Sequence, residues 1–439
     1  MRSALSPPES VMPMSIESAI PPAAVDPARI LATLQAFARI GYQPGGRMLR
    51  LAFTQDDLRA RQLLLHLMSQ SGLERRVDEF GNVFGRLPAP GEANTRPPVL
   101  IGSHLDTVID GGRFDGSLGV AAALEAVALL KDHAESLERP VEVVSFAAEE
   151  SSRFGRGTLG SAIVAGVWQP DEIMHLQDVD GRTLGAVLQR IGLDPARVGD
   201  ARRDPGAYAA FLEIHIEQGR VLEESEKQVG IVSAIAAPTR FRLTLTGQAD
   251  HSGATPMTLR RDALAGAAEV ILAVERLSKA RESVVGTVGT IQAEPGAINI
   301  VPGRARLSID IRATSSENKR AVVDALTVEI ERIARERELD ATTELLSDEE
   351  PVPLDGELID LLESCSEARS IPAIQIPSGA GHDAMQMASI CPAAMLLVPS
   401  RAGISHNPDE WTDLDDLVAG VQVYSDAAWH LTMSSSEPH

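Results

Sequence analysis

Two short apolar runs with a helix-length segment between them constrain this chain more than any other feature. Pro98 to Ser103 (PVLIGS) and Val141 to Ala148 (VEVVSFAA) carry the unbroken hydrophobicity of strands buried on both faces. Between them, Ser117 to Lys131 (SLGVAAALEAVALLK) has the length and the Ala/Leu richness of a helix. Strand, helix and strand at these lengths read as a crossover unit. The expected fold is therefore α/β, a central mixed sheet flanked by helices. With 439 residues, 44% of them hydrophobic, the chain is long enough for two cores, because single cores usually stop growing at roughly 250–300 residues.

A different texture begins after Ser233. Arg240 to Thr246 alternates strictly: Phe241, Leu243 and Leu245 point one way, Arg240, Arg242, Thr244 and Thr246 the other. That is a sheet with one wet face. A helix is predicted over 261–280, strands over 284–294 and 305–312, a helix over 316–338 and a strand near 342–345. The order β-α-β-β-α-β is that of a small two-layer, ferredoxin-like α+β sandwich. Buried α/β character returns after Pro351, with Met395 to Val398 as a further core strand. The expected organisation is one domain over 27–233 and 350–435, with 234–349 inserted into it as a second compact domain. Residues 1–26, with five prolines and three methionines, read as a flexible leader and lack the apolar run of a secretory signal.

Composition excludes several classes of function. With 62 acidic against 40 basic residues the formal charge is −22, so a phosphate backbone would be repelled by the mean field, and no nucleic-acid role is expected. No apolar stretch approaches the length of about 18 residues that could cross a bilayer, so no membrane role is expected either. Cys365 and Cys391, the only two cysteines, are too few for a disulfide scaffold and fit a reducing cytoplasm.

Five segments each end a predicted strand or loop with residues that bind metals. In Gly102-Ser-His-Leu-Asp106, an extended backbone puts His104 and Asp106 on one face, so that the aspartate orients the imidazole while the histidine ligates. In Gly111-Gly-Arg-Phe-Asp-Gly116, Asp115 stands in a glycine-rich loop before the helix. Glu149-Glu150 follows a core strand at the carboxyl end, where open α/β sheets bind ligands. In Phe211-Leu-Glu-Ile-His-Ile-Glu-Gln-Gly219, alternation buries Leu212, Ile214 and Ile216 and presents Glu213, His215 and Glu217 together. Gly403-Ile-Ser-His-Asn-Pro408 is a turn that could present His406.

Three histidines with two or three carboxylates supply the N and O donors that a pair of borderline-hard cations needs, one position staying open for water. Two ions roughly 3.5–4 Å apart require a bridging group, and a lone aspartate in a tight loop, Asp115, suits that role. One glutamate of the adjacent pair is then left to take a proton from water and hand it to a leaving nitrogen. Singly, each residue has a blander reading. A histidine near a strand end is more often a surface or core residue, and a Glu-Glu pair in an acidic chain is usually a solvated face. The joint occurrence is what ties them, since three of only 10 histidines fall at such ends.

The stretches GSHLDTVIDGGRFDGSLGV, FAAEESSRFGRGTLGS, LEIHIEQGRVLE, DHSGATPMTLRRDA, GAINIVPG, DIR, SGAGHDAM and GISHNPDEWT resemble, in unbroken order from about residue 30 to 430, the hydantoinase/carbamoylase branch of the dinuclear-metal M20 amidohydrolases and peptidases. The resemblance implies a dinuclear zinc-peptidase-like catalytic domain with an inserted lid domain that also forms a homodimer. It implies two divalent cations per subunit, zinc or manganese, with nickel or cobalt compatible. His104, Asp115, Glu150, His215 and His406 match the metal ligands, with Asp115 bridging, and Glu149 matches the general base. Gln218, His251, Asn299 and Arg312 match substrate-binding positions, His251 as an oxyanion stabiliser and Arg312 as a carboxylate clamp. The partner implied is a small N-carbamoyl carboxylic acid, first an N-carbamoyl-L-α-amino acid, with allantoate and N-carbamoyl-β-alanine as rivals. An aminopeptidase or dipeptidase fits less well, because those branches lack the HIEQG and SHNP segments. A non-catalytic relative that had lost its metals would lack a ligand or the base, and none is missing here.

Taken without the resemblance, the residues of the inserted domain are less distinctive. Arg312 closes the polar face of its strand, where a guanidinium is the natural bidentate partner of a carboxylate, either a ligand's or that of Asp310. His251 lies in a turn-rich segment, and His382 between glycines reads as either near a ligand or structural. Arg220 stands where proline is usual in the family, and Gly296-Ala297 replaces the more familiar Asn-Ala. Neither change touches a ligand position, so they bear on substrate choice.

Overall fold

A computed structural model describes residues 23–433. The chain divides into two compact units: Val232–Gly356 with Gln375–Ser389 form one, and the remainder forms the other. Most of the expected leader, residues 1–22, lies outside the described residues. Its last four belong to the fold. Val25 is buried, with its N–H donating to Gln422 Oε1 at 3.1 Å, and Asp26 caps the helix Pro27–Ala38 by accepting from the amides of Ala28 and Arg29.

In the larger unit the sheet runs Glu74–Val77, Val83–Leu87, Val141–Phe146, Val99–His104, Ala210–Ile216, Ala393–Val398 and then the start of Val229–Ile235. The middle four strands are mutually parallel and the flanking pairs antiparallel, so the sheet is mixed, as expected. Every residue of those four strands is buried, so the alternation within Ala210–Ile216 marks no wet face, Glu213 and His215 being as buried as Leu212 and Ile214. The helix Ser117–Lys131 packs on Val99–His104, with Pro27–Ala38 and Leu414–Met433 beside it. Its one buried acid, Glu125, is held by Arg29 through Nε at 2.5 Å and Nη2 at 2.7 Å. Both cysteines are buried and form no disulfide. No helix among the described residues is long and apolar enough to cross a membrane.

The smaller unit carries an antiparallel sheet ordered Asp340–Asp348, Ala237–Thr246, Arg304–Ala313, Val284–Glu294. Inward residues of the two central strands, Leu243 opposite Leu307 and Phe241 opposite Ile309, are buried together with Val270 and Val274 of the helix Ala263–Lys279 and Leu326 and Ile330 of Ser316–Glu336. Asp262 and Ser315 cap those helices. This unit also takes in Gln375–Ser389, a segment expected in the larger domain. Two hydrogen bonds between residues far apart in sequence account for the difference: Ala236 N–H donates to Ser378 O at 2.8 Å, and Arg312 Nη1 to Gly379 O at 2.9 Å.

Candidate metal centre

Parallel pairing brings the carboxyl ends of neighbouring strands to one rim. His104 ends its strand in register with Phe146, three residues before Glu149, and His215 is next to last in the adjoining strand. His104 Nδ1 donates to the carbonyl of Asp106 and His215 Nδ1 to that of Ile216, each at 3.0 Å. A carbonyl only accepts, so both rings turn Nε2 inward. There Asp115 Oδ1 lies 3.5 Å from His104 Nε2 and 3.4 Å from His215 Nε2.

The other oxygen, Asp115 Oδ2, is 3.4 Å from His406 Nε2, which in turn is 3.5 Å from Glu150 Oε1. Gln218 Nε2 also donates to Oδ2, at 2.9 Å, and its own Oε1 is buried without a hydrogen-bond partner. His104, Asp115 and His215 thus form one three-donor group, and Asp115, Glu150 and His406 a second, the donor atoms of each lying within 4.8 Å of one another. Glu149 Oε2 sits at the edge of the first, 3.6 Å from His104 Nε2. Both groups offer imidazole nitrogen and carboxylate oxygen, the donor chemistry of zinc and manganese. The residues present fit a pair of such ions.

Electrostatics agree with that fit. Burial, reinforced by the neighbouring charges of Asp115, Asp106 and Glu410, pushes the Glu150 carboxyl well above its usual range. Burial also raises Asp106 to about 7 and lowers His104 to about 4. Against burial, Asp115 draws a proton toward His215, raising it to about 9. The Gly116 N–H aimed at the same Nε2, at 3.1 Å, is a contact only the neutral ring can make, and neutral imidazole is the form that ligates. The raised carboxyls of Glu150 and Asp106 mark a site with more buried negative charge than its own residues offset, and bound cations would offset it.

Gly116 has φ +62°, and a Cβ there would stand 2.4 Å from His104 Cε1. Gly116→Ala is expected to cost about 1–3 kcal/mol from overpacking alone. A drop in the urea midpoint with reduced metal uptake is the expected result; an unchanged midpoint would show that the loop yields freely.

A model of peptidase family M20/M25/M40 matches residues 100–430. The chain belongs to that family. The N-carbamoyl-L-amino acid amidohydrolase of Geobacillus stearothermophilus is 40% identical to it over 406 residues, 92% of this chain and 98% of that one. The allantoate amidohydrolase of Escherichia coli strain K12 is 37% identical over 392 residues, 89% of this chain and 94% of that one. A crystal structure of an amidase of the hydantoinase/carbamoylase family from Burkholderia multivorans matches with a TM-score of 0.88 at 36% identity, covering 94% of this chain and 99% of that one.

Some residues of this M20 protein lie otherwise than the sequence suggests. The Asp106 carboxylate does not orient His104, its Oδ1 being 3.8 Å from Nδ1; it accepts instead from the amides of Glu149, at 3.2 Å, and Glu150, at 3.0 Å. The strand ends at His104, so alternation no longer fixes the side of Asp106. Glu213 accepts from Ser103 Oγ at 2.7 Å, and Glu217 accepts from the amides of Val221 and Leu222, so neither joins His215 among the donors. His251, Asn299 and Arg312 belong to the smaller unit. His251 is exposed, its Nδ1 accepting from the amides of Gly253 and Ala254 at 3.1 Å, which leaves the proton on Nε2. Asn299 is exposed on a turn. Arg312 grips Asp310 through Nε at 3.0 Å and Nη2 at 3.1 Å, the alternative its strand position had left open. His382 is buried against Ser378 Oγ at 2.8 Å.

Glu410 lies within the stretch GISHNPDEWT, but on sequence alone it has no assigned role in the site. It is 2% exposed, its Oε1 accepts from the amides of Phe114 at 2.8 Å and Asp115 at 3.1 Å, and burial with the charge of Asp115 raises it to about 7.

Proposed function

We propose that this protein hydrolyses the ureido group of an N-carbamoyl-L-α-amino acid, R–NH–CO–NH2, to the amino acid, carbon dioxide and ammonia. The observation that carries the reading is Asp115, which offers one oxygen to each of two donor groups with the carboxylate of Glu149 at their edge. The names of the relatives, an N-carbamoyl-L-amino acid amidohydrolase and an allantoate amidohydrolase, point to the same bond type. His104, His215 and Asp115 would hold one cation, and Asp115, Glu150 and His406 the other. Zinc or manganese suits these donors, with nickel or cobalt also compatible. Bound cations supply Lewis acidity, polarising a carbonyl and making water acidic enough to attack near neutral pH.

The remaining chemistry is the chain's own. Glu149 takes the proton from the attacking water and delivers it to the departing nitrogen. His251, protonated on Nε2, is a ready donor to the developing oxyanion. Gln218 orients the substrate, and Asn299 and Arg312 hold its carboxylate. The smaller unit serves as lid and as the homodimer surface, a reading supported by exposed Leu345, Val285 and Ile291 on its two edge strands. Two buried cysteines with no disulfide between them accord with a cytoplasmic location.

Arg312 distinguishes an acid-specific hydrolase from a general amidase. Its pairing with Asp310 fixes the guanidinium plane and leaves Nη1 on a carbonyl that a substrate carboxylate could replace. Losing such a clamp costs about 2–5 kcal/mol, and lysine cannot reproduce the fork. Arg312→Lys and Arg312→Ala are both expected to lower kcat/KM for N-carbamoyl acids by roughly 30-fold or more. The matching carbamoyl amides should start poor and lose little. Equal turnover of acid and amide by the unaltered enzyme would reduce Arg312 to a partner of Asp310.

The overall reading is tested by assaying protein loaded with manganese or zinc on N-carbamoyl-L-amino acids, N-carbamoyl-β-alanine and allantoate. Preference for either of the last two moves the assignment to that ureido acid; no turnover of any would overturn it.

A further inference from the structure

The two donor groups are held in unlike ways. His104 and His215 stand on paired central strands that are buried throughout. His406 instead stands on a turn, with φ +53° and a side chain 49% exposed. No strand or helix fixes its distance from Asp115.

What spans that gap is Glu410, four residues after His406. Its Oε1 receives both the Phe114 and the Asp115 amides, and its Oε2 lies 3.3 Å from Ser405 Oγ. Ser405 Oγ is in turn 3.2 Å from Asp115 Oδ2. The turn carrying His406 is therefore gripped to the loop carrying Asp115 at backbone and side chain alike. The loop is shaped around this grip: a Cβ on Gly112 would stand 2.1 Å from the Glu410 carboxyl carbon.

We infer that Glu410 is a positioning residue which sets the spacing of His406 from Asp115 and so governs the second cation position selectively. This rests on the dinuclear reading given above. The first position draws both its imidazoles from strands, and of its three donors only Asp115 touches the grip. The second loses its geometry when the turn is released.

Titrating manganese(II) into the metal-stripped full-length protein, by calorimetry with free ion counted by electron paramagnetic resonance, tests this. The wild type should bind two ions. Glu410→Ala should keep the first at wild-type affinity and weaken the second by roughly 10–100-fold, the range for removing a residue that supports a ligand. Glu410→Gln keeps a carbonyl oxygen for the two amides and should restore most of the second site. Gly112→Ala leaves the Glu410 charge but displaces its carboxyl, and should reproduce the selective loss even if Glu410→Ala does not fold. Two ions weakened alike, or a second ion unaffected by Gly112→Ala, would overturn the inference alone. A wild type binding fewer than two ions would overturn the dinuclear reading and this inference together.

Discussion

Glu149→Gln should lower the turnover number by on the order of 100-fold or more while leaving the metal content near that of the wild type. The substitution keeps the shape of the side chain and removes its ability to take a proton. Glu149 is 3.6 Å from His104 Nε2 and lies outside both three-donor groups, whereas Glu150 stands 3.5 Å from His406 Nε2 within one. Both backbone amides are pinned by Asp106, so neighbouring carboxylates in one short segment are held in different directions. The measurement is kcat alongside elemental analysis of the same preparation. A Glu149→Gln preparation depleted of metal would mean that the roles of the two glutamates are exchanged.

Removal of the cations should abolish activity, and replacement of Asp115 should do so irreversibly. A strong chelator is expected to take wild-type turnover to background, with recovery on adding manganese or zinc. Asp115→Ala should stay at background under the same repletion. Without Asp115 each group keeps only two protein donors, His104 with His215 and Glu150 with His406, one fewer than the three that catalytic zinc sites typically use. Full activity in rigorously metal-free protein would sink the mechanism.

Periodicity and run length made the core architecture readable. The strand Val99–His104, the helix Ser117–Lys131 and the strand Val141–Phe146 lie where the apolar runs put them, because burial on both faces leaves a mark in sequence. The donors at strand ends were readable for a related reason: parallel strands end on one rim whatever their separation along the chain. Asp106 shows the limit of that logic, since parity stops meaning anything once the strand has ended. Glu410 shows another. In a Pro-Asp-Glu-Trp turn nothing local separates a solvated acid from one buried against amides nearly 300 residues away. The assignment of Gln375–Ser389 to the smaller unit failed to show for the same cause, its hydrogen bonds being long-range.

The strand Ala393–Val398 lies inside the sheet, parallel to Ala210–Ile216 on one side and antiparallel to Val229–Ile235 on the other. A ribosome delivers it well after both neighbours, with the whole stretch 232–356 emerging in between. Until then the two strands present open edges that Ala393–Val398 later covers, the first along six residue pairs and the second at two, and open edges are the kind that recruit other chains. Completion of the rim that carries His215 thus waits on the last tenth of the polypeptide, and a chain cut short there would retain most of its sequence yet have a slot in the middle of its sheet.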